Sequence, residues 1–152
     1  MSERARPSGW LAKSEYDSIY SRVPRLCVEV VIWTAQRGVL LMRRDIPPNV
    51  GVWHIPGGTV LFAEPVVEAV KRVAADELAL EVDVGELLGF IEYPSHYQNG
   101  LDSPVGLAFS CAIVGATADS PPPDGGAWFS RLPADLYLEQ REFLARRLGL
   151  PS

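Results

Sequence analysis

The middle of the chain carries ionisable side chains at helical spacing, shortly after a glycine pair. The glycines are Gly57 and Gly58, and the charges that follow are Glu64, Glu68, Arg72, Asp76 and Glu77. Glycine lets a backbone approach a phosphate group or turn tightly. One of the carboxylates, Glu77, does not fall on the face of the helix that is expected to be exposed to solvent. A cation is therefore one partner that would balance its charge. The pattern therefore admits phosphate and metal chemistry, although tight turns alone explain most glycine pairs.

A helix is predicted from Pro65 to Leu80, because proline suits the first helical position. At about 100° per residue, the charges that are four residues apart fall on one stripe: Glu64, Glu68, Arg72 and Asp76. Glu68 precedes Arg72 in the order that favours an ion pair on a helix. An exposed ion-pair stripe is one explanation of these charges, and a functional set is the other.

Glu77 departs from that stripe. Its helical angle falls between those of Val66 and Val70, on the apolar face. An unpaired charge on the core side costs several kcal/mol, and the last turn of a helix disfavours anions. Either a metal ion or an arginine balances the charge of Glu77, or the side chain extends past the helix end into water.

Other candidate groups flank the glycine pair. Arg43 and Arg44 end a predicted strand, where they either clamp phosphate or are simply exposed. Trp53 follows a proline-rich loop and either packs in the core or stacks on a base. Cys27 and Cys111 lie in apolar runs and are expected to be buried as small hydrophobic residues.

The elements that must position these groups alternate along the chain. Helices are predicted at residues 10–23 and 134–148, in addition to the central one, and strands at 26–34, 39–43, 53–55, 82–92, 105–114 and 128–129. Loops are predicted at 45–52, 94–104 and 118–126. This order predicts one α/β sandwich around a mixed sheet, occupying residues 10–152 after a disordered lead-in at residues 1–9.

The composition narrows the function classes. The chain has 152 residues, 47% of them hydrophobic, and a formal net charge of −5. Nonspecific nucleic-acid binding depends on lysine and arginine, so no nucleic-acid partner is expected, whereas a few arginines suffice for a diphosphate. No apolar run suggests a signal peptide or a membrane span, so a cytoplasmic protein without a membrane partner is expected.

The ordered set of motifs resembles the Nudix family. The family's box, G-x5-E-x7-R-E-U-x-E-E-x-G-U, has the spacing of Gly58, Glu64, Arg72, Asp76 and Glu77. Other matching segments are the Leu40–Arg44 strand, the Gly51–Gly58 segment, Leu88-Gly89 and Trp128-Phe129. The resemblance covers roughly residues 26–132 and implies the Nudix-type α/β/α sandwich.

The resemblance also implies an activity and a metal. The family hydrolyses nucleoside diphosphates linked to another group, using Mg²⁺ or Mn²⁺ held by carboxylates of the box. In this chain the box glutamate that follows Arg72 is Val73, the first glutamate of the pair is Asp76, and the late glycine is Ala79. Glu77 and Asp76 remain as candidate metal ligands.

The sequence is most similar to the GDP-mannose mannosyl hydrolase branch, whose box also lacks that glutamate. The likeness includes an acidic residue in the first strand, Glu29, and an arginine ending the second, Arg44. By this resemblance, Glu77 and the Gly57 carbonyl hold Mg²⁺, while Arg44 and Arg72 serve the diphosphate or the structure of the site. Enzymes of this branch cleave at the sugar carbon and release a nucleoside diphosphate. The resemblance to them also implies that this chain forms a homodimer.

The general base is where the resemblance fails. The branch has its base histidine and a glutamine ligand in the loop before the Trp128 strand, but residues 121–126 of this chain contain neither. The branch also has an arginine after the glycine pair, where this chain has Thr59. His96, His54 and Asp124 are the alternatives for the base, and Asp124 is also an alternative for the missing ligand.

Two hypotheses therefore stand. The first is a Mg²⁺-dependent hydrolase of a nucleoside diphosphate sugar or a related nucleoside diphosphate derivative. The second, prompted by Val73 and the loop without histidine, is a noncatalytic Nudix domain that binds a nucleotide-like ligand or a protein partner.

Overall fold

The computed structural model describes residues 10–45, 50–117 and 119–152. The lead-in predicted to be disordered, residues 1–9, lies outside the described residues. The helices are α1 (Lys13–Tyr20), α2 (Val66–Leu78), α3 (Pro94–Gln98) and α4 (Leu138–Leu148). The strands are β1 (Arg25–Thr34), β2 (Gly38–Arg43), β3 (Trp53–His54), β4 (Gly57–Thr59), β5 (Val82–Glu92), β6 (Pro104–Ile113) and β7 (Gly126–Phe129).

Strand β1 is the central strand of a mixed sheet. Its run of valine and isoleucine suits a strand buried on both faces, and it pairs in parallel with β6 from Arg25 to Ile32. The other edge of β1 is shared by two antiparallel partners. Strand β4 pairs with Cys27–Glu29, and β2 pairs with Trp33 and Thr34. The partners of β1 therefore separate near its middle, which leaves an opening beside Glu29.

Two helices cover the two faces of the sheet. Helix α2 contributes Val70 and Val73 to a core cluster that includes Val28 and Val30 of β1. Helix α4 contributes Leu144 to a second cluster. The α/β/α sandwich around a mixed sheet is thereby confirmed.

Several predicted boundaries differ from the structure. The first helix is shorter than the predicted 10–23, and β7 begins at Gly126 rather than at residue 128. Helix α4 begins at Leu138 rather than at residue 134, since the chain before it pairs with Trp53. The Trp53 N–H donates to the Asp135 carbonyl at 3.0 Å, and the Tyr137 N–H donates to the Trp53 carbonyl at 3.4 Å. The predicted loop 94–104 contains α3, and its last residue, Pro104, begins β6.

The glycine pair is a strand rather than the predicted turn. Gly57 and Gly58 lie in β4, opposite Glu29 and Val28 of β1. The chain turns later, at Phe62 and Ala63, before helix α2. Pairing with the central strand fixes the glycine backbone more rigidly than a free turn would.

Helix α2 ends in a conformation that favours glycine. Ala79 caps it with φ 53° and ψ 37°, in the left-handed region. This conformation costs an L-residue roughly 1–2 kcal/mol. Ala79 stands at the position where the Nudix box has a glycine, so the requirement for a left-handed cap persists although the residue has changed.

We expect Ala79→Gly to raise the free energy of unfolding by about 0.5–1 kcal/mol, because glycine adopts the cap without steric cost. The measurement is urea unfolding followed by circular dichroism. Ala75→Gly, on the exposed side of the same helix, is the matched control. It should lower the free energy of unfolding by about 1 kcal/mol. Equal destabilisation by both variants would contradict the left-handed cap.

Candidate active site

A cleft of about 400 Å³ opens where β4 and β2 separate beside β1. It is lined by the following candidates for phosphate, metal, substrate and base contacts: Glu29, Arg43, Arg44, Gly57, Gly58, Glu77, His96 and Asp124. His54, the remaining alternative for the base, lines it as well. Residues that are far apart in the sequence are thus brought to one cleft.

Glu77 opens onto the cleft and not, as predicted, toward the core. Its side chain is exposed, because helix α2 ends one residue later and the core positions of this turn belong to Ala74 and Leu78. Desolvation by the cleft wall raises the pKa of Glu77, and the nearby charges of Asp76 and Asp45 raise it further. A carboxylate surrounded in this way gains from a bound cation.

The carbonyl of Gly57 points away from β1. Ladder hydrogen bonds join Val30 N–H to Pro56 O at 2.8 Å and Val60 N–H to Leu26 O at 3.0 Å. In an antiparallel ladder the intervening pairs alternate, so the Glu29–Gly57 pair is not hydrogen-bonded. The backbone groups of Gly57 therefore face the side of β4 opposite β1, where a ligand can use them.

Arg72 stabilises the segment between β4 and the start of helix α2. Its guanidinium donates to both carboxylate oxygens of Glu64, at 2.8 and 3.1 Å, and to the Thr59 carbonyl at 2.8 Å. The predicted ion pair between Glu68 and Arg72 is wrong, because Glu68 instead lies 3.8 Å from Lys71. Glu64 precedes the helix and folds back from the turn to reach the arginine. Arg72 does not line the cleft and instead ties β4 to α2.

Asp76 and Trp53 also lie outside the cleft lining. The carboxylate of Asp76 is 3.7 Å from the Arg72 guanidinium. Trp53 packs edge-on against Phe129, with 4.8 Å between ring centroids, and the Arg43 guanidinium lies over its ring at 5.4 Å. The structure thus places Trp53 against the core, and it stacks on protein groups rather than facing the site.

Val73 fills the space under the glycine strand. It is 2% exposed, and a Cβ added to Gly58 would lie 3.0 Å from Val73 Cγ2. An apolar side chain therefore packs under Gly58 at the position where the Nudix box has a glutamate. Gly58 is required here for close packing between β4 and α2.

The three alternatives for the base border the same cleft in different settings. His96 lies on α3 with its ring 5.4 Å from that of Tyr93, and its Nδ1 is 3.4 Å from Asp102. His54 Nδ1 is bonded to the Ile55 carbonyl at 3.0 Å, and burial lowers the pKa of His54. Asp124 lines the cleft from the loop before β7.

A buried hydrogen-bond chain ends on Glu29, which is 5% exposed. The Ile55 N–H donates to Gln140 Oε1 at 2.8 Å, and Gln140 Nε2 donates to the Tyr93 hydroxyl at 2.9 Å. The Tyr93 hydroxyl donates to Glu29 Oε1 at 2.6 Å. Burial raises the pKa of Glu29 to about 7 against the lowering effect of the Tyr93 hydrogen bond.

Sequence reasoning missed Tyr93 and Gln140. A signal for Gln140 was available, because it follows Leu136 by four residues and precedes Leu144 by four. A polar residue on an apolar helix face is the same anomaly that singled out Glu77. Tyr93 carried no such signal, since a tyrosine at a strand end is ordinary.

The residues present fit a Mg²⁺ ion that is shared with the substrate. No group of three or more His, Cys, Asp or Glu in the described parts of the chain is arranged to hold a metal alone. Glu77 and Gly57 both line the cleft, so a carboxylate and a backbone carbonyl would be the protein oxygens offered to the ion. Mg²⁺ commonly takes one or two carboxylates and completes its shell with water and substrate phosphates.

Comparisons of sequence identify the family of this chain. A family model described as NUDIX domain matches residues 23–146. The low-salt glycan biosynthesis protein Agl8 of Haloferax volcanii is 36% identical over 111 residues, which cover 72% of this chain and 70% of that protein. The chain therefore belongs to the Nudix family.

Solved structures agree with this assignment. A MutT NUDIX hydrolase from Burkholderia pseudomallei superposes with a TM-score of 0.69 at 26% identity, covering 84% of this chain and 99% of that one. A UDP-X diphosphatase has a TM-score of 0.63 at 17% identity, covering 91% and 72%, which shows likeness of fold alone. The protein is a hydrolase of the Nudix family, whose members generally use a divalent metal such as Mg²⁺.

None of the helices in the described ranges is long and apolar enough to cross a membrane.

We expect the stability of the metal-free protein to fall as pH rises from about 4.5 to about 7. The pKa of Glu29 is about 7 in the folded chain, against an ordinary 4.5, so the folded state holds the proton more tightly. The stabilisation is complete below pH 4.5 and is lost by neutral pH, with a size of about 3 kcal/mol. Urea unfolding in EDTA measures it.

Glu29→Gln is the control for that measurement, because glutamine keeps the shape and does not titrate. The wild type should lose stability relative to Glu29→Gln across this pH window. Parallel curves for the two proteins would contradict a Glu29 pKa raised by burial.

Proposed function

We propose that the chain is a Mg²⁺-dependent hydrolase of a nucleoside diphosphate sugar or a related nucleoside diphosphate derivative. The observation that carries the proposal is the meeting of Glu77, the Gly57 backbone and Arg44 at one cleft. A carboxylate and a carbonyl suit the metal, and an arginine suits a diphosphate. Mn²⁺ is the alternative ion.

The metal, when bound, would neutralise charge that develops on the leaving diphosphate. The role of the protein is to bind the substrate and to hold it in one orientation in the cleft. Arg44, directly after β2, lies close enough to lower the pKa of Glu77, so a diphosphate held by Arg44 would lie beside the metal that Glu77 would help to hold. Arg72 supports this arrangement from outside the cleft by fixing β4 against α2.

A sugar is the favoured second group of the substrate. Glu29 and Arg44 match the GDP-mannose mannosyl hydrolase branch in position, and the relative from Haloferax volcanii is named for glycan biosynthesis. The buried carboxylate of Glu29 also suits hydroxyl groups better than phosphate, because it repels anions. GDP-mannose is therefore the first candidate in a substrate panel.

His96 is the favoured base. Its ring lies between the Tyr93 and Tyr137 rings, at 5.4 and 5.9 Å between centroids, and Asp102 lies next to its Nδ1. This arrangement orients the imidazole toward the cleft that it lines. Asp124 has no comparable orienting contact among the described residues.

A noncatalytic binding domain is the second candidate, and Val73 favours it. The buried valine leaves the cleft with fewer carboxylates than the family motif supplies. Such a domain would bind nucleotide derivatives in the same cleft without turning them over.

Release of nucleoside diphosphate or nucleoside monophosphate from a panel of GDP-mannose, GDP-glucose, UDP-glucose and ADP-ribose with Mg²⁺ tests these alternatives. We expect turnover by the wild type and a loss on the order of 100-fold or more in Glu77→Gln. Glu68→Gln, an exposed carboxylate on the same helix, should change the rate by less than about twofold. Absence of wild-type turnover would favour the binding domain, and unchanged Mn²⁺ affinity in Glu77→Gln would exclude Glu77 as a ligand.

Hydrolysis in ¹⁸O-labelled water locates the bond that breaks. We expect the label in the released sugar, because the resemblance is to the branch that attacks carbon. The measurement is mass spectrometry of both products. Label in a phosphate group of either product would instead show attack at phosphorus and would contradict attack at carbon.

A further inference from the structure

The carboxylate of Glu29 occupies a chamber that two glycines create. Gly57 of β4 lies on one side, where an added Cβ would come within 2.5 Å of Glu29 Oε2. Gly106 of β6 lies on the other, where an added Cβ would collide with Oε1, Cγ and Cδ of the same side chain. Any larger residue at either position would displace the carboxylate. Both neighbours of the central strand are therefore shaped around this one side chain.

The hydrogen-bond chain to Glu29 has only one possible direction. A backbone N–H can only donate, so the Ile55 N–H must face the oxygen of the Gln140 amide. The amide nitrogen of Gln140 then donates to the Tyr93 hydroxyl. The hydroxyl proton of Tyr93 is consequently left to donate to Glu29. The fold thereby fixes Glu29 Oε1 as an acceptor and restrains the rotamer of the side chain.

One oxygen of Glu29 remains for a ligand. Oε1 receives the Tyr93 hydroxyl, and Oε2 takes part in none of the hydrogen bonds found among the described residues. Glu29 is 5% exposed and lines the cleft. A desolvated carboxylate oxygen gains strongly from a hydrogen-bond donor, and it repels the phosphates that Arg44 attracts. A neutral hydroxyl is the donor that fits.

We propose that Tyr93 and Gln140 are positioning residues that hold Glu29 as the acceptor for a hydroxyl of the sugar attached to the diphosphate. This inference rests on the proposed function. It adds that sugar discrimination depends on two residues outside the Nudix box, one at the end of β5 and one on α4. The same chain of hydrogen bonds includes the Ile55 N–H, and Ile55 is two residues before Gly57. Gln140 therefore supports both the sugar contact and the backbone carbonyl offered to the metal.

The test compares Tyr93→Phe with Tyr97→Phe. Tyr97 lies on α3, is 48% exposed and does not line the cleft, so it is a matched control. The substrates are the nucleotide sugar of the panel that reacts fastest and, as a competitive inhibitor, its nucleoside diphosphate. We expect Tyr93→Phe to lower kcat/KM for the nucleotide sugar about 10- to 100-fold. Inhibition by the nucleoside diphosphate should change by less than about twofold, and Tyr97→Phe should change neither.

A double-mutant cycle separates positioning from a general structural effect. If Tyr93 acts through Glu29, Tyr93→Phe should add less than about twofold to the loss caused by Glu29→Gln. Gln140→Met serves if Tyr93→Phe does not fold, because it removes the donor to Tyr93 and keeps a similar volume. It should lower kcat/KM for the nucleotide sugar about 3- to 10-fold. This loss should exceed any loss of inhibition by the nucleoside diphosphate, which the variant can also affect because it removes the acceptor for the Ile55 N–H.

The outcomes distinguish this inference from the proposed function. Equal losses for nucleotide sugar and nucleoside diphosphate, or additive losses in the cycle, would overturn the positioning role while hydrolysis stands. If the wild type binds but does not turn over, calorimetric affinities for GDP-mannose and GDP replace the rates in the same comparison. A wild type that neither binds nor hydrolyses any nucleotide sugar would overturn both.

Discussion

The burial of one carboxylate in the central strand constrains most of this structure. Glu29 lies in β1 among side chains that exclude water, and an unpaired buried charge costs far more than a single hydrogen bond returns. The fold accommodates it with glycine on both neighbouring strands and a tyrosine hydroxyl on its oxygen. Since Gln140 supports that tyrosine, helix α4 is tied to the centre of the sheet. The position of one side chain thus links four separate segments of the chain.

The cleft exists because β1 changes its partner. Strand β4 pairs with the first half of one edge and β2 with the end of it, so the sheet divides where Glu29 stands. Residues from both partners then face the same space. Arg72 keeps β4 in place by bonding the Thr59 carbonyl and Glu64 at once. Its bidentate geometry gives direction as well as attraction, which an exposed ion-pair stripe would not.

Predictions from local sequence patterns were correct for most helices and strands, but they were wrong about several contacts between residues distant in sequence. The hydrophobic runs predicted β1 and β5 closely, because alternation and β-branched residues act within a segment. Helix α4 began four residues late since the preceding backbone had found Trp53 as a partner. The glycine pair formed a strand for the same reason, as β1 offered its edge. Partners that are distant in sequence are not visible to a local pattern.

Glu77 shows both the strength and the limit of helical angles. The angle correctly marked it as unlike its neighbours, but it placed the carboxylate on the core side, while the structure opens it to the cleft. A helix projection assumes that the apolar face is covered along its whole length. Helix α2 ends at the cleft, so Ala74 and Leu78 fill the core side of its last turn and Glu77 is left at the cleft.

The sequence by itself determined the Nudix fold, the central helix and its charges, and the missing glutamate at position 73, because these are properties of residue type and spacing. Only the tertiary structure decided that Glu29, Tyr93 and Gln140 are joined by a chain of hydrogen bonds. Their positions in sequence are unrelated, and hydrogen bonds form between atoms that the sheet and helix packing bring within 3 Å. The residue types determined which chemical groups the site contains, and the pairing of β1 determined which of those groups lie next to one another.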